Sequence, residues 1–260
     1  MSARALVIIP TYNERAALPG TLARARGAAP HVDVLIVDDA SPDGTGRWAA
    51  EQALADPGVH VLHRPGKAGL GRAYVAGFGW ALERGYERVV EMDADGSHHP
   101  EDLPRLLDAL EADGVELAIG SRWVPGGRTE NWPWYRALLS RSANAYANVA
   151  IGLGVRDATA GFRAFRADAL RGLDLAEVTS QGYCFQVDMT RRVRRGAGEI
   201  VEIPITFTER VEGVSKMSRA IVVEALWRTT AWGAERRTRQ WWGWVRRGSR
   251  GRTQALRRRS

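Results

Sequence analysis

The strongest constraint on the fold is an alternation of short apolar runs with amphipathic stretches over the first two-thirds of the chain. Ala5–Ile9, Val32–Val37, Val59–His63, Val89–Met92 and Leu117–Gly120 have the length and β-branched character of buried strands. Helical patterns lie between them at about 16–28, 46–55, 70–84 and 101–112. Strands separated by helices cannot pair as hairpins and need crossover connections. The pattern therefore predicts an α/β chain with a mostly parallel central sheet and helices on both faces, built as a single domain. Beyond residue 122 the periodicity loosens. A loop rich in Trp, Pro and Gly (WVPGGRTENWPWYR) leads to a helix expected over 136–152, and the section from there to 209 is mixed.

Composition narrows the class. A chain of 260 residues can bury a large core without staples, and its single cysteine, Cys184, excludes an intramolecular disulfide and fits a reducing compartment. Cys184 reads as a packed core thiol. The opening MSARALVIIP has too short an apolar run for an export signal, and no stretch approaches the roughly 18 apolar residues of a spanning helix, so the expectation is a protein that does not cross a membrane. The net charge of +7 is unevenly placed: residues 236–260 hold ten arginines and no acid, while the rest has 27 basic against 30 acidic residues. A slightly acidic body with a basic tail argues against a duplex-binding surface and for a tail that meets an anionic one.

In open α/β sheets ligands lie beyond the carboxyl ends of the strands. Four such ends carry unusual residues: Pro10-Thr11-Tyr12-Asn13-Glu14, Asp38-Asp39-Ala40-Ser41, Asp93-Ala94-Asp95-Gly96-Ser97 and Gly120-Ser121-Arg122. With 14 aspartates in the chain, one Asp-x-Asp is expected by chance, so its placement carries the signal. Alternate residues of an extended segment point the same way, which lets Asp93 and Asp95 reach one ion. Two carboxylates without His or Cys suit Mg²⁺ or Mn²⁺ with positions left open for diphosphate oxygens. The Asp38-Asp39 pair has two readings, a nucleotide contact or the start of the following helix. Gly66-Lys67-Ala68-Gly69-Leu70-Gly71 matches neither common phosphate-loop fingerprint. Against 35 arginines, however, only Lys67 and Lys216 are lysines, which points to a need for a compact ammonium at each. His98 and His99 read as local structural residues, and Tyr183 and Phe185 as core or pocket wall.

Taken together, VIIPTYNE (7–14), IVDDASPDGTG (36–46), HRPGKAGLGRAYVAGF (63–78), EMDADGSHHPEDLP (91–104), IGSRWVPGG (119–127), DATAGFRAFR (157–166) and ITFTERVEGVSKMS (205–218) resemble the family-2 glycosyltransferases of GT-A fold. Within them the resemblance is to the dolichyl- or polyprenyl-phosphate mannosyltransferases. It implies a transferase domain over 1–218 and nucleotide-sugar contacts from Pro10, Tyr12, Glu14, Val37 and Asp39. By the same resemblance Asp93 and Asp95 hold the metal and diphosphate, with Ala94 lining the site. Ser97 stands where some members carry a glutamine at the metal, and is a shorter third candidate ligand. Arg122, Arg210 and Lys216 resemble the cations around the donor diphosphate and the acceptor phosphate, and Lys67 joins the donor-side set.

The implied reaction moves mannose from GDP-mannose to a polyprenyl monophosphate with inversion. A phosphate monoester is largely dianionic at neutral pH, so such an acceptor needs no general base. Asp95, Arg122, Arg210 and Lys216 are then the expected catalytic groups. Transfer of another sugar, such as glucose from UDP-glucose, to the same lipid phosphate is the alternative. A nucleic-acid-binding protein using the arginine tail is the remote one. Residues 219–245 are expected to form an amphipathic, Trp-rich segment, and 246–260 a disordered basic tail. Val223, Leu226, Trp227, Thr230 and Ala234 share one helical face, and Trp241, Trp242 and Trp244 follow. The expected location is the cytoplasmic face of a membrane, held peripherally on anionic lipid, with room for a membrane-protein partner.

Overall fold

The computed structural model describes residues 3–209 and 226–238. Its strands are β1 (Ala5–Thr11), β2 (Asp33–Asp38), β3 (Val59–His63), β4 (Arg88–Glu91), β5 (Val115–Ser121), β6 (Arg128–Glu130), β7 (Arg163–Arg166), β8 (Glu199–Pro204) and β9 (Thr206–Thr208). Its helices are α1 (Leu18–Ala28), α2 (Thr45–Ala55), α3 (Leu70–Glu83), α4 (Leu103–Ala109), α5 (Trp134–Ile151), α6 (Ala167–Arg171) and α7 (Gly182–Arg195). Residues 226–238 are also helical.

Seven strands form one sheet in the order β3-β2-β1-β4-β7-β5-β8. All pairs are parallel except those of β7, which runs antiparallel to β4 and β5. β6 and β9 form a separate parallel pair. Alternation within β1 feeds two cores: Leu6 and Ile8 face the side covered by α3, α5 and α7, and Val7 and Ile9 the side covered by α1 and α4. Each such fully buried side chain contributes about 1.5–3 kcal/mol relative to exposure.

The expected alternation is present, with two differences. β1 continues through Pro10 to Thr11 instead of stopping. Ile8 turns its carbonyl toward β4, where Met92 N–H donates to it, so Pro10 faces the same side one step beyond the last β4 pair. Its missing N–H forgoes only the next bond, the one to Met92 O, and the β1–β4 ladder ends there. The second difference is β7, hidden in the section that read as mixed. Its inward residue Arg163 is fully buried opposite Glu91, so no apolar run marks it. The domain boundaries expected at 218 and 245 lie outside the described residues.

Candidate functional site

The carboxyl ends of β1, β2, β4 and β5 open into one cavity of about 640 Å³, closed on its other side by the start of α7 and by Phe207. The loops after β1 and β2 are fastened together. Asp38 accepts hydrogen bonds from Thr11 Oγ1 (3.0 Å), Ser41 Oγ (2.6 Å) and Ser41 N–H (3.1 Å), and Asn13 N–H donates to Ser41 Oγ (3.1 Å). Asn13 (φ 59°) and Ala40 (φ 55°) adopt left-handed backbone to make these turns. The acidic pair thus divides its labour. Asp38 is a staple, while Asp39 lines the cavity, held by Arg64 (2.5 Å) and Ala68 N–H (3.3 Å). Lys67 Nζ lies 4.3 Å from the centre of the Tyr12 ring, so ammonium and aromatic form one wall beside Pro10 and Glu14.

At the end of β4, Asp93, Ala94 and Asp95 all line the cavity. Thr21 Oγ1 donates to Ala94 O at 2.9 Å and fixes the turn from behind. Asp93 N–H donates to His98 Nδ1 (3.2 Å), which requires an unprotonated nitrogen there. Burial pushes the His98 pKa down to about 4, partly opposed by the Asp95 charge. His98 is therefore a neutral brace, stacked on Phe162 at 5.2 Å. Tyr74 reaches Asp93 Oδ1 at 3.4 Å, and burial first, then the Asp93 charge, raises its phenol well above the usual range. A Cβ on Gly161 would stand 3.3 Å from Asp93 Oδ2, so this glycine permits close approach of its loop to the carboxylate.

Asp93 and Asp95 offer hard oxygen donors, and among the described residues no third His, Cys, Asp or Glu gathers with them. That donor set fits Mg²⁺ or Mn²⁺ completed by substrate oxygens. Ser97 does not line the cavity: its hydroxyl (2.6 Å) and N–H (3.1 Å) both donate to Asp95 Oδ1, which orients the carboxylate. Val37 is also elsewhere, its side chain fully buried in the core beneath β2 because β-strand alternation turns it away from the cavity. Arg210 and Lys216 lie outside the described residues.

Arg122, after β5, is gripped by Asp157 through Nε and Nη2, both at 2.7 Å, and through its own N–H at 3.0 Å. Burial opposes the Arg122 charge, but Asp157 more than offsets it and keeps the guanidinium pKa raised. Burial likewise opposes the Asp157 charge, yet Arg122 holds that carboxyl below its usual range. The rings of Trp123, Trp132 and Phe207 surround the guanidinium at 5.3–5.5 Å. Arg163 secures the surrounding walls, donating to Ala158 O, Ala160 O, Gln186 O and Thr190 Oγ1 at 2.6–2.8 Å. One buried guanidinium thereby ties the 157–161 loop to α7.

Several lining residues were not singled out from sequence: Arg72, Arg136, Thr159, Gln181 and Gln186. Arg136 stands over the Trp132 ring at 4.3 Å and pairs with Glu209. The lone signal for it was its place in the Trp-rich stretch, and only the crossing of the first turn of α5 near the strand ends reveals it.

This topology, with paired carboxylates and cations at the strand ends, fits the glycosyltransferase class. The Glycosyl transferase family 2 model matches residues 6–173, and the chain belongs to that family. It is 58% identical over 231 residues to a polyprenol monophosphomannose synthase of Mycolicibacterium smegmatis, covering 88% of this chain and 87% of that protein. It is 59% identical over 230 residues to an undecaprenyl-phosphate mannosyltransferase of Micrococcus luteus, covering 88% and 94%. Among solved structures, glucosyl-3-phosphoglycerate synthase of Mycobacterium tuberculosis, in complex with Mn²⁺, UDP-glucose and phosphoglyceric acid, superposes with a TM-score of 0.63 at 20% identity, covering 88% of this chain and 80% of that one. That likeness shows the GT-A fold.

Proposed function

We propose that the protein transfers mannose from GDP-mannose to a polyprenyl monophosphate, with inversion at the anomeric carbon. The observation that carries this reading is the facing of Asp93 and Asp95 by Lys67, Arg72, Arg122 and Arg136 across one cavity. A lining of two metal-type carboxylates and four cations suits two phosphate-bearing substrates held close together. Relatives bearing mannosyltransferase names over 88% of the chain support the sugar and the lipid acceptor.

Asp93 and Asp95 would hold Mg²⁺ or Mn²⁺, which as a Lewis acid stabilises the departing diphosphate. Asp39, Tyr12 and Lys67 would hold the nucleotide end. Arg122 and Arg136, joined by Arg210 and Lys216 later in the sequence, would offset phosphate–phosphate repulsion and align the acceptor oxygen with the anomeric carbon. The acceptor brings its own nucleophile, because a monoester with second pKa near 6 is mostly dianionic at neutral pH. His98 supplies no proton transfer, its Nδ1 being committed to Asp93 N–H.

The test is a donor panel with purified protein, prenyl phosphate and added Mg²⁺ or Mn²⁺. Transfer from GDP-mannose well above that from UDP-glucose, abolished by EDTA, is expected. Preference for UDP-glucose would transfer the assignment to a glucosyltransferase, and full turnover in EDTA would remove the metal.

A further inference from the structure

Trp132 stands between β6 and α5, and its buried indole N–H makes no hydrogen bond among the described residues. Its place in the chain is closely set. Asn131 before it adopts left-handed backbone (φ 62°), and Pro133 after it disfavours helical backbone at Trp132 itself. Other rings hold the indole. Phe207 on β9 meets it edge-on at 5.4 Å, and Trp123 lies at 6.3 Å. Phe207 also meets His98, the brace of the Asp93 turn, edge-on at 5.4 Å. Two cations of the cavity share this one indole: Arg136 Cζ lies 4.3 Å from the ring centre and Arg122 Cζ 5.3 Å. Both distances are within the reach of a cation–π attraction.

The two cations differ in what else holds them. Arg122 has three hydrogen bonds to Asp157, so the ring is a second support for it. Arg136 has Glu209 as its one ion-pair partner among the described residues. A phosphate that replaces Glu209 leaves this guanidinium with no carboxylate to orient it, and an unrestrained arginine samples many rotamers. The ring stays in place through that exchange. An aromatic face attracts a guanidinium without taking up its N–H donors, so the donors remain available to phosphate oxygens.

We propose that Trp132 is a positioning residue for the acceptor, whose ring keeps Arg136 aimed into the cavity while its guanidinium exchanges Glu209 for the acceptor phosphate. The inference deepens the reading of a prenyl-phosphate acceptor and rests on it for the identity of the anion. It acts through the aromatic face. Leucine at 132 would fill space without that face, whereas phenylalanine keeps a face and loses no hydrogen bond.

The experiment uses the full chain and farnesyl phosphate, a short prenyl monophosphate. Trp132→Leu should weaken farnesyl phosphate binding in calorimetry, and raise its KM in transfer from GDP-mannose, about tenfold. The kcat and the affinity for GDP-mannose should stay near those of the parent, and Trp132→Phe should recover most of the loss. In an Arg136→Ala background Trp132→Leu should add nothing further, because the two changes remove the same contact. Additive losses in the double variant overturn the proposal, as do a phenylalanine variant as impaired as the leucine one and an equal loss of donor affinity. A second measurement needs no altered Trp132 to fold. The Arg136 side-chain resonances of the parent, assigned by their absence from Arg136→Ala, should be ring-current shifted and remain so when farnesyl phosphate is added. Loss of that shift on binding overturns the proposal. If binding depends on Trp132 as expected but the parent transfers no mannose, the functional reading fails and this one stands. If transfer proceeds and Trp132→Leu leaves it unchanged, this one fails alone, and a parent that does not bind farnesyl phosphate overturns both.

Discussion

Glu91 offers a test of how the site's floor is held. It is fully buried opposite Arg163, and neither carboxyl oxygen has a well-formed hydrogen bond, although the Gln186 carboxamide lies alongside. Burial pushes its pKa up to about 8, against the opposing pull of Arg163. Arg163 gets its hydrogen bonds from four other acceptors, so Glu91 need not ionise to satisfy it. The folded state then keeps a proton that the unfolded chain releases above its ordinary value of 4.5. With more protons bound in the folded state, stability falls as pH rises through the window from 4.5 to about 8. His98 acts with the opposite sign between about 4 and 6.5, where the unfolded chain binds the extra proton. The Glu91 slope is therefore read cleanly between 6.5 and about 8. At about 1.4 kcal/mol per pH unit, that interval takes about 2 kcal/mol from the parent protein. Glu91→Gln, which mimics the neutral acid, should remove this slope and cost about 1 kcal/mol or less at neutral pH. Urea denaturation of both proteins across the interval measures it. A loss of about 3–5 kcal/mol in Glu91→Gln would refute the reasoning, because that is the cost of stripping the partner from a buried ion pair.

Three further outcomes follow from the site. Asp93→Asn and Asp95→Asn should each abolish transfer while leaving the thermal midpoint near that of the parent, checked by product assay and melting across a Mn²⁺ titration. Asp157→Asn leaves Arg122 buried without its counter-charge and should cost about 3–5 kcal/mol in denaturant unfolding. Arg136→Ala, Arg210→Ala and Lys216→Ala should raise the KM for prenyl phosphate more than they weaken GDP-mannose binding, as calorimetry with the donor alone and acceptor kinetics will separate.

The strands and helices of the first 120 residues were legible because each buries an apolar face with a regular period, and period survives in sequence. β7 was not, since its inward residue is Arg163, a charge that four acceptors make tolerable only in three dimensions. The strand-end residues Pro10, Tyr12, Glu14, Asp39, Lys67, Asp93, Ala94, Asp95 and Arg122 do meet in one cavity. Local spacing left Asp38 and Asp39 equivalent. They separate only when Thr11 and Ser41 claim the first and the cavity receives the second. Arg136 escaped for a related reason: its chain neighbours are Trp, Tyr and Leu, and its role comes from where α5 crosses the strand ends.

The internal pairing of the site's cations bears on how it can hold two anions at once. Arg64 is matched to Asp39, Arg122 to Asp157, and Arg136 to Glu209. These guanidiniums arrive oriented, so less side-chain freedom is lost when a substrate binds. They are also partly neutralised, which limits how tightly any single phosphate is held. The pairs differ in one respect that matters for turnover. Asp157 is fully buried and held by three hydrogen bonds from Arg122, so that pair cannot separate without exposing a charge to the interior. Glu209 is a partly exposed residue at the cavity's edge, one position before Arg210. On the proposed function, Arg136 would exchange Glu209 for a phosphate at less cost than Arg122 would leave Asp157. On the proposed function, a fixed cation and an exchangeable one in the same cavity suit transfer between two anionic partners.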